Sequence, residues 1–198
     1  MARQLVVVDV ESTGLIPGFH VPLEVAAVNL DTGEELSFVP WVHPSHMAKA
    51  DPVALQINRY YERGVFKDRL TLQQTFDRYR QLFDMLEGNT FGGANPRFDA
   101  EMVRVGYSIS VSVTPKPYDR LSLPDETWQH RLQDVQAYAA GVLGFDPADP
   151  PSLVDLLEAL GIDNREPHSA LWDARATAEA FKRLKAKRDN MYEKDVPY

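Results

Sequence analysis

Cysteine is absent from all 198 residues, which excludes disulfides, thiolate nucleophiles, zinc ribbons and iron–sulfur clusters. Long apolar runs are missing as well. Leu5-Val6-Val7-Val8 is ended by Asp9, far too short for a signal peptide or a membrane span. No membrane association is therefore expected, and the cytoplasm is the expected compartment. Positive charge is in short supply: 21 Lys and Arg against 29 Asp and Glu leave a formal charge of −8. Such a chain does not coat nucleic acid or an anionic membrane through bulk charge. G-x-x-x-x-G-K, G-x-G-x-x-G and G-x-S-x-G do not occur, so P-loop, Rossmann and α/β-hydrolase readings have no support.

What is present describes a globular chain, 44% hydrophobic and 25% charged. Its length suits one domain, expected over 1–190 with a short tail at 191–198. Leu5 to Val10 is a β-branched run with apolar residues on both faces, so it reads as a buried central strand. Leu23–Leu30 and Glu35–Val42 flank Asp31-Thr32-Gly33, the signature of an antiparallel hairpin. Helix-period apolar positions run from about Pro52 to Arg63 and from Leu72 to Leu86, with Asp51 and Thr71 as caps. Thr90–Gly93 is a short strand, and Asn95-Pro96 opens a helix with Asn as cap and Pro in the first turn. Ser108–Pro124, rich in Ser, Val and Pro, fits a strand or an extended loop. Arg131–Val135 reads as a strand, and helices follow over Gln136–Leu143, Leu153–Leu160 and about Ala170–Lys187. Early strands followed by alternating strands and helices predict an α/β fold, a mixed sheet covered on both faces.

Three segments carry candidate chemistry. Asp9 and Glu11 are two apart on a strand, so both leave the same face, at the C-terminal end where open α/β sheets place their ligand sites. Two carboxylates so close repel each other unless a cation sits between them. Asn95-Pro96-Arg97-Phe98-Asp99 adds a carboxylate in the first turn of a helix. In Pro167-His168-Ser169-Ala170-Leu171-Trp172-Asp173, five helical residues would turn His168 about 500° from Asp173. The two cannot share a helix face. His168 is therefore expected on the loop leading into the helix, with Ser169 able to cap and Asp173 on the helix itself. Ala170, Ala174 and Ala178 let that helix lie close to the sheet, and Phe181 and Leu184 continue its buried stripe. Each segment alone also fits solvated surface charge.

Together, Asp9-Val10-Glu11-Ser12-Thr13-Gly14-Leu15, Asn95 to Asp99, and His168 to Ala174 resemble the three motifs of the DEDDh 3′→5′ exonucleases, in the family's order. That family includes polymerase proofreading subunits, ribonuclease T and oligoribonuclease. The resemblance implies a ribonuclease H-like fold with a central mixed five-stranded sheet flanked by helices. It implies two divalent metal ions, Mg²⁺ or Mn²⁺, held by Asp9, Glu11, Asp99 and Asp173, with His168 as general base. It also implies a substrate-binding set: backbone near Ser12 and Thr13 on the terminal 3′-hydroxyl, Leu15 as a wedge on the last base, and Asn95 and Phe98. The implied reaction is hydrolysis of phosphodiester bonds at single-stranded 3′ ends, releasing nucleoside 5′-monophosphates. DNA is slightly favoured over RNA as the partner strand, and a polymerase or a second copy of the chain is a further expected partner. The chemistry agrees, because two metal ions about 4 Å apart neutralise and align an anionic phosphodiester. Hard cations take carboxylate oxygen, and an imidazole titrating near pH 6.5 can take a proton from water.

Departures from the family pattern are Ser12 in place of Thr, Ala94 in place of His, and the Tyr118–Glu126 segment, a candidate substrate-facing loop. The rival reading is a catalytically silent member of the fold that binds nucleic acid or a polymerase. His43 and His46 have a zinc-like spacing but no third ligand, and with Pro44 between them they read as loop histidines. Phe98 and Trp172 either stack on bases or pack in the core. The basic run Lys182–Arg188 either grips phosphates or forms a solvated helix end.

Overall fold

The computed structural model describes residues 2–111 and 124–194. Most of the Ser108–Pro124 stretch, most of the Tyr118–Glu126 segment and the end of the expected tail lie outside the described residues.

The valine run forms β1 (Leu5–Ser12), with Val6, Val7 and Val8 essentially without solvent contact. Burying each such side chain is worth about 1.5–3 kcal/mol. Strand alternation splits the run between two cores. Val6, Val8 and Val10 pack with α3 (Leu72–Leu86) and α4 (Pro96–Ser110). Val7 packs with α5 (Val135–Leu143), α6 (Leu153–Leu160) and α7 (Ala170–Lys194). Asp9 and Glu11 share the Val7 parity, so they leave β1 on the α7 face.

The remaining strands are β2 (Pro22–Asn29), β3 (Glu35–Phe38), β4 (Thr90–Gly93) and β5 (Gln133–Asp134), in the order β3-β2-β1-β4-β5. β1–β2 and β2–β3 are antiparallel, whereas β1–β4 and β4–β5 are parallel. This is the mixed five-stranded sheet with helices on both faces expected of an α/β ribonuclease H-like fold.

Several expected boundaries move. The second hairpin strand stops at Phe38, before Pro40, which has no N–H for the ladder. β5 shrinks to two residues because the Asp134 carboxylate caps α5, accepting from Gln136 N at 2.7 Å and Ala137 N at 3.1 Å. α2 (Pro52–Ile57) ends six residues before Arg63. There the buried Asn58 donates through Nδ2 to the Ser12 carbonyl at 3.1 Å, and Arg59 takes a left-handed φ of 51°. α7 continues past Lys187 to Lys194. Pro44 opens a four-residue helix, α1 (Pro44–Met47), instead of a loop, with His43 as its cap. The caps expected at Asp51 and Thr71 are present, Thr71 in a reciprocal capping box with Gln74.

Candidate active site

The acidic cluster is built where the C-terminal end of β1 meets the first turns of α4 and α7. A cavity of about 570 Å³ opens there, lined by Asp9, Glu11, Asp99, His168 and Asp173. Its other wall is apolar, formed by Leu153, Val154 and Leu157 of α6 together with Ile162 and Phe98. Ala94, the position that departs from the family pattern, lines it as well.

Each acidic residue is fixed by a different device. Asp99 reaches over from α4 and accepts the Val10 N–H at 2.9 Å, which clips the helix onto β1. Asp173 accepts from the Asn164 side-chain amide and, through Oδ2, from the His168 N–H at 2.9 Å. His168 is exposed on the turn before α7, with a left-handed φ of 63°. It is thus off the helix, as the rotation argument requires. Ligand atoms of Glu11, His168 and Asp173 all lie within 4.8 Å of one another.

Burial dominates the electrostatics. It holds the Asp9 and Asp99 carboxyls well above the usual carboxylate range, and Asp9 is raised further by the charges of Asp99, Glu11 and Asp173. Burial, with Asp173 and Glu24 nearby, pushes Glu11 up to about 8. Asp173 rises for the same reason, opposed by its bonds to Asn164 and the His168 N–H. A buried, mutually repelling carboxylate group is a site that a cation stabilises. The donors are carboxylate oxygens and one imidazole, with no sulfur, which fits hard divalent ions.

The other candidate residues are placed differently. Ser12, Thr13, Leu15 and Asn95 do not line the cavity. Ser12 Oγ donates to the Gly14 carbonyl at 2.7 Å, and Thr13 Oγ1 accepts from Val21 N at 2.9 Å, so both hydroxyls hold the loop after β1. Leu15 stands on that loop 79% exposed. Asn95 sits at the N-cap position, but with φ of 57° and no side-chain capping bond, which corrects the expected cap. Short polar Asn tolerates this left-handed backbone, and Pro96 still occupies the first turn. Trp172 lines another cavity, and the Arg175 and Arg165 guanidiniums lie 5.1 Å and 5.8 Å from its ring. His43 and His46 have ring centroids 6.2 Å apart and join no third ligand among the described residues.

Sequence reasoning missed Glu24 and Arg63. Glu24 is the register partner of Glu11 across β1–β2. Arg63 grips both Glu24 oxygens at 2.7 Å, reaches Glu166 at 3.3 Å, and donates to the His168 carbonyl at 2.9 Å. Nothing in the spacing of Arg63 signals this, since it depends on where α2 ends.

A family model for exonucleases of the RNase T type matches residues 6–181. A search of curated proteins finds none that matches the chain by sequence. Among solved structures, E. coli exonuclease I in complex with a dT13 oligonucleotide matches at TM-score 0.71 and 20% identity, covering 97% of this chain and 43% of that one. A zinc-bound E. coli exonuclease I–ssDNA complex matches at 0.69 and 20% identity, over 98% of this chain and 42% of that one. A moderately thermophilic exonuclease I from Methylocaldum szegediense matches at 0.67 and 23% identity, over 96% and 41%. The chain spans less than half the length of those chains, and at these identities the likeness is one of fold. With the family match extending over residues 6–181, the chain belongs to the RNase T-type exonuclease family, the DEDDh-type 3′→5′ exonucleases of the ribonuclease H-like superfamily.

Proposed function

We propose that this chain is a metal-dependent 3′→5′ exonuclease that hydrolyses the terminal phosphodiester of single-stranded nucleic acid, with DNA favoured over RNA, and releases nucleoside 5′-monophosphates. One observation carries the reading. Asp9, Glu11, Asp99, His168 and Asp173, drawn from three segments far apart in sequence, line a single cavity. The relatives solved with single-stranded DNA support DNA as the substrate class.

Asp9, Glu11, Asp99 and Asp173 would hold two divalent ions, Mg²⁺ or Mn²⁺, which would supply charge neutralisation at the scissile phosphate and a more acidic water. His168 takes the proton of the attacking water on a ring nitrogen. The resulting imidazolium is stabilised by the Glu11 and Asp173 carboxylates beside it. Its turn is pinned through the backbone at both ends, N–H to Asp173 and carbonyl to Arg63, which leaves the ring exposed to its substrate. Phe98 and the apolar side of α6 receive the sugar and base of the departing nucleotide. Ser12 and Thr13 support the loop backbone that meets the 3′-hydroxyl, Leu15 wedges the last base, and Asn95 contacts the strand beside Phe98.

The test is a ladder assay with Mn²⁺ on strands labelled at the 5′ or the 3′ end. Progressive shortening of 5′-labelled single strands, slowed by a 3′-phosphate and abolished in Asp9→Asn, is expected. Binding without shortening would identify a silent binding module. Internal cleavage, or trimming from the 5′ end, would overturn the polarity.

A further inference from the structure

A second cavity, of about 400 Å³, lies at the opposite end of the sheet and shares no residue with the acidic one. Leu5, Thr90 and Gln133, the first residues of β1, β4 and β5, line it. Asp9 is four residues further along β1, about 13 Å at strand rise. Lys182 is nine residues from Asp173 on α7, again about 13 Å. The two cavities therefore open at opposite ends of the same strands and the same helix.

The second cavity inverts the sign of the chain. Arg3, Lys182, Lys185 and Arg188 line it, in a protein whose net charge is −8. Helical spacing explains why the basic run near the C-terminus divides. Lys182, Lys185 and Arg188 recur every three residues and face the cavity. Arg183 points elsewhere, to Glu179 at 2.8 Å and to the end of α6. Arg63, Arg97, Arg104, Arg175, Arg183 and Arg188 each pair with a carboxylate. Among the described residues, Arg3, Lys182 and Lys185 have no such partner. The one carboxylate lining the cavity is Asp31, whose Oδ2 accepts the Leu5 N–H at 3.1 Å. Three unpaired cations against one carboxylate repel one another, and an anion relieves that repulsion.

The rest of the lining suits more than a bare anion. Tyr138 lies nearly parallel to buried Phe181, with centroids 6.1 Å apart at 24°, and gives the cavity an aromatic wall. Gln133 and Thr90 add an amide and a hydroxyl with no side-chain partner among the described residues. The volume falls within the roughly 300–1,000 Å³ of small-ligand sites. We propose that this basic cavity is a second binding site, for a nucleotide: the phosphate meets Arg3, Lys182 and Lys185, and the base meets Tyr138 and Gln133. The same chemistry is presented by a free nucleoside monophosphate or by one residue of a nucleic-acid strand. Neither source requires the acidic cavity to be catalytic.

The experiment is isothermal titration calorimetry in EDTA, which keeps the acidic cavity free of metal so that no strand is cut. Adenosine 5′-monophosphate and a short oligothymidylate are the probes. The wild type and Asp9→Asn bind with equal affinity, whereas Lys182→Glu/Lys185→Glu loses on the order of tenfold or more, as two charge-assisted contacts become repulsions. Both lysines are exposed, so the melting temperature reports that the variant folds. Lys185→Gln alone shows a smaller loss in the same direction. A lysine-dependent loss for both probes assigns the site to free nucleotides, and a loss for the oligonucleotide alone assigns it to a strand. If neither affinity responds to the lysines, or if Asp9→Asn abolishes the binding, the second site does not exist.

Discussion

The carbonyl oxygen of His168 accepts a hydrogen bond from Arg63 Nη1 at 2.9 Å, and the same nitrogen lies 2.7 Å from Glu24 Oε1. One guanidinium thus ties the histidine's turn to the strand that faces Glu11. The Arg63 and Glu24 side chains are only 11% and 13% exposed. Removing Arg63 leaves the Glu24 charge buried without its partner, at a cost on the order of 3–5 kcal/mol, whereas removing Glu24 leaves Arg63 with Glu166 alone.

Arg63→Lys keeps the charge but loses the two-pronged grip. Turnover is expected to fall on the order of 10–100-fold, the usual effect of losing an orienting contact behind a functional group. The Mn²⁺-induced rise in melting temperature should persist, as it should in His168→Ala, where the loss of turnover reaches about 10²–10⁴-fold. Glu24→Gln/Arg63→Met should be less destabilised than either single substitution, measured by urea denaturation. Additive losses would show that the pair is not coupled.

The acidic cluster makes metal-free stability depend on pH in an unusual direction. Glu11 is pushed up to about 8, and Asp9 and Asp99 are raised too, while unfolded carboxyls titrate near pH 4–4.5. Between about pH 4.5 and 8 the folded state therefore binds more protons than the unfolded one, and stability falls as pH rises. Metal ions displace those protons, so apparent Mn²⁺ affinity rises with pH across the same window. Melting in EDTA and in Mn²⁺ at pH 5, 6.5 and 8 checks both statements. A melting temperature in EDTA that climbs toward pH 8 would contradict the first.

What could be read from sequence was local. The Asp9–Glu11 pair follows from strand alternation, the place of Asp99 from a helix start at Pro96, and His168 from the turn that Pro167 imposes before α7. What could not be read depends on contacts between distant segments. Arg63 reaches the site only because Asn58 bonds the Ser12 carbonyl and ends α2 early, which no helix periodicity encodes. Glu24 faces Glu11 through a strand register that the hairpin turn at Asp31–Gly33 does not determine, since that turn joins β2 to β3 and not to β1. The Asn95-Pro96 pair suggested a cap at Asn95, whereas the turn from β4 into α4 uses its tolerance of positive φ.

The loop that displays Leu15 is held from beneath by His20. Its Nδ1 accepts the Ile16 N–H at 3.1 Å, and a Cβ at Gly14 would lie 2.4 Å from the His20 ring, on a backbone with φ of 152°. Gly14→Ala is expected to destabilise the fold by about 1–3 kcal/mol. It should also raise KM for single strands more than it lowers kcat. Adding His20→Ala relieves the clash but removes the Ile16 acceptor, so stability recovers in part while KM stays high. Recovery of both would show that steric bulk alone was at fault.

Phe98 and Trp172 look alike in sequence, each an aromatic next to an acidic residue, yet the fold separates them. Phe98 lines the acidic cavity together with Leu157 and Ile162. Trp172 lies in a different cavity, its ring already beside the Arg165 and Arg175 guanidiniums. Stacking a base on an aromatic ring is worth about 1–3 kcal/mol, so Phe98→Ala should raise KM for an oligonucleotide roughly 5–150-fold. Trp172→Ala removes two cation–π contacts, worth about 0.5–1 kcal/mol each at such partly exposed positions, and should lower the melting temperature while leaving KM unchanged. Steady-state kinetics and thermal melts on the two variants separate the roles. A KM that rises in Trp172→Ala but not in Phe98→Ala would move the base-binding wall from α6 to the other side of α7.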